Sequence, residues 1–272
     1  MSILDADFMR RALLAAVLVG LCAPAIGIFL VQRRLALMGD GIGHVALTGV
    51  AVGFLLSTAP VLTAVVAAVA GGIAIELLRE RGRTSGDVAL ALLFYGGIAG
   101  GVVLTGLSPG RTSTSLVAYL FGSVTTVSSD DLVVVVALSV TVLAVVLVFG
   151  RELFAVSLDE EVARVAGLRV RALNLLVAVL AALTVALAMR VVGVLLVSAL
   201  MVVPVATAQR VARGFLRTLL ASLALGVAVS VTGLVVAYYV DVAPGATIVL
   251  VAIGVFLVVA VVDALVPRAR RA

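Results

Sequence analysis

The chain contains no lysine, no tryptophan, one histidine and one cysteine, and only 12 % of its 272 residues are charged. Each shortage excludes something. The phosphate-cradling pattern GxxxxGK[ST] needs a lysine, so a Walker-type nucleotide site is ruled out; if ATP drives this protein, a separate subunit hydrolyses it. The single Cys22 lies in an apolar run, where it forms neither an internal disulfide nor a multi-cysteine metal site and serves as a small hydrophobe. Without tryptophan the aromatic belt of a membrane protein is thin, leaving Tyr238 and Tyr239 for one interface and Phe149, Phe154 and Phe215 for the other. A soluble domain of this size covers its core with roughly 25 % charged residues, and this chain lacks them. The membrane is its solvent.

What is present agrees. Apolar residues make up 64 % of the chain, in runs near the ~20 residues that span a hydrocarbon slab of ~30 Å. Nine stretches stand out, at about 12–31, 41–58, 59–78, 88–107, 132–150, 172–189, 191–208, 218–240 and 244–263. The expected fold is all-α, a polytopic transmembrane bundle of 8–9 spanning helices, with residues 1–272 forming one membrane domain. The first run ends at Gln32-Arg33-Arg34 without a small-residue cleavage pattern, so it reads as a spanning helix and not a signal peptide. Residues 108–131, rich in Gly, Ser and Thr around an apolar patch from Leu116 to Phe121, fit an external loop or a re-entrant helix equally.

The net charge of +5 and pI near 10.3 do not signal nucleic-acid binding, because the arginines are sorted by loop. If all nine stretches cross and the C-terminus is cytoplasmic, Arg33, Arg34, Arg79, Arg81, Arg83, Arg151, Arg164, Arg169, Arg171, Arg210, Arg213, Arg217, Arg268, Arg270 and Arg271 lie inside. Arg10, Arg11, Arg111 and Arg190 lie outside. Fifteen against four follows the positive-inside rule and predicts a multi-pass protein of the cell membrane with a cytoplasmic C-terminus.

The second stretch begins LALMGDGIGHVALTGVAVGF. Asp40 and His44 are four apart, so a helix puts them on one face, which Thr48 continues. A carboxylate beside an imidazole suits Zn²⁺, Mn²⁺ or Fe²⁺. Asp at the centre of a spanning helix costs about 2.5–3.5 kcal/mol on insertion scales, so it faces a cavity or a partner. Spacing alone leaves three readings open: a pair of metal ligands, a structural pair at a helix contact, or an interfacial pair just above the cytoplasmic loop. Gly39, Gly43, Gly49 and Gly53 allow close approach of a neighbouring helix.

The most polar stretch is SLDEEVARVAGLRVR, residues 157–171. Ser157 with Glu160 has capping-box spacing, Asp159, Glu160 and Glu161 suit a helix N-terminus, and Gly167 is placed to end the helix. Leu158, Val162, Val165 and Ala166 form an apolar stripe, so this short helix either docks in a partner's groove or lies on the membrane. Pro204, inside a membrane stretch, is a candidate hinge or a static kink. Asp241, before Pro244-Gly245, is a turn residue or an outward carboxylate that attracts metal. Glu76 and Asp263 lie near inner helix ends within reach of arginines, and Asp87 has the position of a helix cap.

Together these segments resemble the membrane permeases of ABC importers for zinc, manganese and iron. FMRRALLAAVLVGLCAPAIGIFLVQRRLALMGDGIGHVALTGVAVG is similar to that family's opening with its aspartate-xxx-histidine pattern, SLDEEVARVAGLRVRALNLL to its ATPase-coupling segment, and VVGVLLVSALMVVPVATAQRVAR and YYVDVAPGATIVLVAIGVFL to its late helices. The resemblance implies a homodimeric permease with two cytoplasmic ATP-binding subunits and an external metal-binding protein. It implies that Asp40 and His44, and more weakly Asp241, lie on the path of a transported divalent metal, zinc first, then manganese or iron, with no permanently bound cofactor. It implies that a short coupling helix within about 151–171, carrying Ser157, Asp159, Glu160, Glu161, Arg164 and Gly167, meets the ATPase. GHVALTG stands where members often have SHAALPG, so Gly43 and Thr48 are departures that bear on the bend of the helix. The alternatives are a vitamin- or siderophore-type permease, with a wide apolar path and no need of His44, and an ion-coupled secondary transporter, with inverted repeats and midplane charges. A non-transporting scaffold is a third.

Overall fold

The computed structural model describes residues 7–80, 86–107, 120, 122, 129–189, 192–194 and 196–265. Most of the ambiguous 108–131 segment, and Arg81, Arg83, Arg111, Arg190, Arg268, Arg270 and Arg271, lie outside the described residues, as does the side chain of Asp87. Among the described residues ten helices follow in order: α1 (Asp7–Gln32), α2 (Met38–Leu55), α3 (Pro60–Glu80), α4 (Gly86–Gly106), α5 (Ser129–Leu158), α6 (Glu160–Val165), α7 (Val170–Ala188), α8 (Val197–Val211), α9 (Phe215–Val240) and α10 (Pro244–Leu265). Eight of them, all but α6 and α8, are long and apolar enough to cross a membrane.

Local chemistry sets the ends. Pro60 and Pro244 open α3 and α10, where the missing N–H has no helical partner to lose. Arg34, Ser57 and Asp241 adopt positive φ just after α1, α2 and α9, turning the chain back into the next helix. The stretch expected at 191–208 is not one spanning helix. Gly193 takes φ 87°, residues 192–194 and 196 are non-helical, and α8 begins only at Val197. Its 15 residues reach about 22 Å, short of the ~30 Å slab. The stretch expected to end at 150 instead runs on as α5 to Leu158, because Arg151 and Glu152 sit inside an uninterrupted helix.

Helices α1, α2 and α7 form the centre, with 72, 61 and 67 % of their spanning windows buried, whereas α4, α5 and α10 bury only 17–22 % and line the apolar rim. Close approach at the centre depends on small residues. A Cβ on Gly20 or Gly226 would strike the other's backbone, so these two glycines set where α1 crosses α9. The two ends of the bundle differ. At one, Phe29, Phe154 and Phe215 cluster, with Phe154 and Phe215 centroids 4.3 Å apart. At the other, Phe8 meets Tyr238, which in turn meets Tyr239. Phe154 and Phe215 share one end and Tyr238 and Tyr239 the other, as the sequence reading grouped them, whereas Phe149 is exposed and joins neither cluster. Cys22 is buried, its Sγ 3.8 Å from the Ser139 carbonyl.

Candidate functional site

Asp40 lies in the first turn of α2, not at its centre. The helix N-terminus favours a negative charge there, which lowers the penalty of burying the carboxylate. Ser198, in the first turn of α8, lies beside that carboxylate. Gly39 makes the contact possible, since a Cβ there would stand 3.1 Å from that of Ser198. His44 follows one turn later on the same face, half-buried like Asp40. Its ring meets Phe94 of α4 edge-on at 4.4 Å between centroids. Its Nδ1 is buried and has no hydrogen-bond partner. Asp40 therefore does not lock the ring through that nitrogen, which removes the simplest form of a structural pair.

Thr48 turns its proton to the Gly97 carbonyl of α4 at 2.6 Å, so it clasps α2 to α4. Gly97 is required at this point, because a Cβ would fall 2.7 Å from the His44 carbonyl carbon. Beside the pair a cavity of about 390 Å³ is lined by Leu37, Asp40, Leu90, Ala91, Phe94 and Tyr95. It lies at the flank between α2 and α4, where Leu37 and Tyr95 are exposed. Among the described residues no group of three or more His, Cys, Asp and Glu side chains gathers to hold a metal. One chain brings one carboxylate and one imidazole together at this face.

The structure does not bring Asp241 to this pair. Asp241 caps α9 in a left-handed conformation and is exposed, at the bundle end where α1 begins, whereas Asp40 follows the end of α1. Twenty-six residues of α1 separate those ends by about 39 Å. Pro204 is buried mid-α8, where it leaves the Leu200 carbonyl without its helical partner.

The 157–171 segment gathers at the other end of α1. Ser157 does not form the predicted capping box. Since α5 continues through Leu158, Ser157 is helical; its hydroxyl donates to the Leu153 carbonyl at 2.7 Å and accepts from Arg33 Nε at 3.1 Å. Asp159, with extended φ and ψ, is the cap of α6, accepting from the N–H groups of Glu161 and Val162 at 2.8 and 3.0 Å. Gly167, at φ 85°, ends the helix as expected, with Leu168 N–H bonded to the Ala163 carbonyl and Gly167 N–H to that of Arg164. Ala163 faces the bundle, while Leu158, Val162 and Val165 are exposed, Val165 by 90 %. Arg164 and Glu161 are exposed on the same short helix.

Glu160 turns inward. Its Oε1 accepts from Arg79 Nη2 and from Asn174 Nδ2, each at 3.1 Å, and Arg79 also forks onto Glu76 at 2.8 and 3.1 Å. Arg171 pairs with Glu80 at 3.0 Å. A polar cavity of about 440 Å³ opens among these side chains. Burial pushes the Arg33 guanidinium below its ordinary pKa, the carboxylate of Glu160 opposing the shift and Arg79 adding to it. The sequence placed Glu76 within reach of an arginine, and likewise Asp263, which meets Arg210 at 3.8 Å. It did not single out Arg79, Asn174, Ser198, Phe94 or Gly97. The only signal among these was the three-residue spacing of Glu76 and Arg79.

Residues 5–263 match the profile of the ABC 3 transport family. The chain belongs to that family. It is 34 % identical over 201 residues to the manganese import system permease protein ScaB of Streptococcus parasanguinis, covering 74 % of this chain and 71 % of that one. It is 32 % identical over 207 residues to the high-affinity zinc uptake system membrane protein ZnuB of Haemophilus influenzae, covering 76 % and 79 %. Its fold matches a chain of PsaBC from Streptococcus pneumoniae, solved with a Fab, at a TM-score of 0.85 and 32 % identity over 94 % of this chain and 92 % of that one. The chain is thus a polytopic membrane permease of the metal ABC importer family. These relatives stand against the siderophore-type, secondary-transporter and scaffold alternatives.

Proposed function

We propose that two copies of this permease, with cytoplasmic ATP-binding subunits and an external metal-binding protein, carry a divalent transition metal into the cell by alternating access. The observation that carries this reading is the Asp40–His44 face: a half-buried carboxylate that lines a cavity, and one turn on an imidazole with a buried, unpartnered Nδ1. Two ligands hold a cation weakly enough to release it, which conduction requires. Zinc is the proposed cargo because imidazole suits it, while manganese and iron accept the same donors. Asp241 serves as an outer carboxylate that draws cations toward the entrance, and Pro204 as the hinge of α8. The C-terminus is cytoplasmic, which places the arginine-rich end of the bundle inside.

The exposed stripe Leu158, Val162 and Val165 is the surface that meets the ATPase, held in shape by the Asp159 cap and the Gly167 stop. The test is reconstitution in liposomes with the cognate ATPase and binding protein, followed by competitive uptake of zinc, manganese and iron. ATP-dependent accumulation of at least one is expected, with zinc ahead. Accumulation of none, or accumulation without ATP, overturns the reading.

A further inference from the structure

We propose that Arg79 is a coupling residue, linking helix α6 to the inner end of α3 and through α3 to the helix that carries Asp40 and His44. The assignment rests on the importer reading above and adds a path for the motion. Glu76, one turn back on α3 and only 4 % exposed, fixes one side of the guanidinium with two hydrogen bonds. The same Nη2 that donates to Glu76 also reaches 81 positions along the chain to Glu160, the first residue of α6. Asn174, at the start of α7 and buried, holds the same Glu160 oxygen. A bidentate, largely buried guanidinium is a stiff connector, unlike an exposed ion pair.

From Arg79 the path to the metal face is short. Ile75 lies one turn away on α3, and its Cδ1 stands 3.9 Å from where a Cβ of Gly41 would be, next to Asp40. Further along, α2 and α3 touch backbone to backbone: a Cβ on Gly49 would fall 2.6 Å from the Thr63 carbonyl oxygen and 2.8 Å from Ala64 Cα. With no slack between them, α2 follows α3. A displacement of α6 therefore reaches the turn bearing Asp40 through one ion cluster and one packed isoleucine. α6 has an apolar stripe facing away from the bundle, so one short helix carries an outer docking face and an inner link.

The experiment uses the reconstituted transporter with wild type, Arg79→Met, Glu160→Gln, their double variant and Arg79→Lys. Metal ions imported per ATP hydrolysed are measured, together with amide hydrogen exchange over residues 76–80 and 160–165. Each single variant is expected to lower ions per ATP by about 3- to 30-fold. The double variant should be no worse than the worse single, and lysine should restore part of the loss. A wild-type ratio in Arg79→Met, or losses that multiply in the double variant, overturns the assignment. Exchange over 160–165 should rise in Arg79→Met; unchanged exchange overturns the link whether or not metal moves. Failure of the wild type to import any metal sinks the importer reading instead, and exchange still decides the link. If Arg79→Met is not recovered from membranes, Glu160→Gln, at a partly exposed position, gives the same readouts.

Discussion

Two clusters of acid and base occupy this bundle, and they are built to opposite rules. At the start of α2, Asp40 has Ser198 beside it and His44 leaves a buried nitrogen unpaired. At the end of α3, Arg79 is shared between two glutamates, one of which also takes an amide. Buried polar groups are normally satisfied, and an exception marks a strained or working site. In the proposed function the unpaired cluster keeps its ligand atoms for the cargo. The paired one has spent them on holding helices together. If this contrast is right, substitutions in the two places should fail differently, the first losing cargo and the second losing linkage.

The largest effect should come from His44→Ala. It removes one of the two proposed ligands, so uptake should fall by more than the ~10–100-fold that outer partners of a metal ligand contribute. Recovery of the complex with the ATPase should not change, since His44 touches α4 and not α6. Wild-type uptake from this variant in the liposome assay would erase the distinction between the clusters.

Next in size is Val165→Asp. Val165 is 90 % exposed on α6, so the fold should tolerate the change, but a charge in an apolar docking face should weaken ATPase binding. A loss of about 30-fold in affinity, equivalent to ~2 kcal/mol, is expected from titration of the ATPase on the purified permease. Unaltered affinity would move the docking surface elsewhere and leave α6 with its inward link alone.

The sequence made some of this contrast legible and hid the rest for physical reasons. Spanning helices announce themselves by length and hydropathy, and Asp40 and His44 by rarity, since an acid and the single histidine one turn apart stand out in an apolar chain. Gly167 was readable because few residues but glycine adopt φ 85° at a helix stop. The break at Gly193 was not, because the flanking valines and leucines keep hydropathy high through a non-helical turn. Ser157 was misassigned because capping boxes are recognised by spacing, and the spacing cannot show that α5 carries on past it. The Arg79–Glu160 link joins positions 81 apart, and no local pattern reports such a pairing.

A smaller effect should follow Gly97→Ala, which bears on how rigidly the unpaired cluster is presented. The added methyl would press on the His44 backbone, and overpacking of this kind costs about 1–3 kcal/mol. Thermal unfolding in detergent should drop, and uptake should fall through weaker apparent metal affinity and not through ATPase recovery. An unchanged Tm together with wild-type affinity would show that α2 and α4 separate freely there, and that Phe94 does not fix the ring.

The smallest effect separates the shape of α6 from its link to α3. Asp159→Ala removes the oxygen that accepts from Glu161 and Val162. A lost cap costs ~1 kcal/mol, within a range of 0.5–2, and the site is exposed, so the bundle should stay folded. Amide exchange should quicken at 161 and 162 about 5-fold, the rate equivalent of that energy, while residues 76–80 keep their protection because Arg79 and Glu76 remain paired. Equal loss of protection in both segments would mean that the cap and the ion cluster form one cooperative unit. In that case the docking face and the inner link could not be separated by substitution, and α6 would act as a rigid extension of α3.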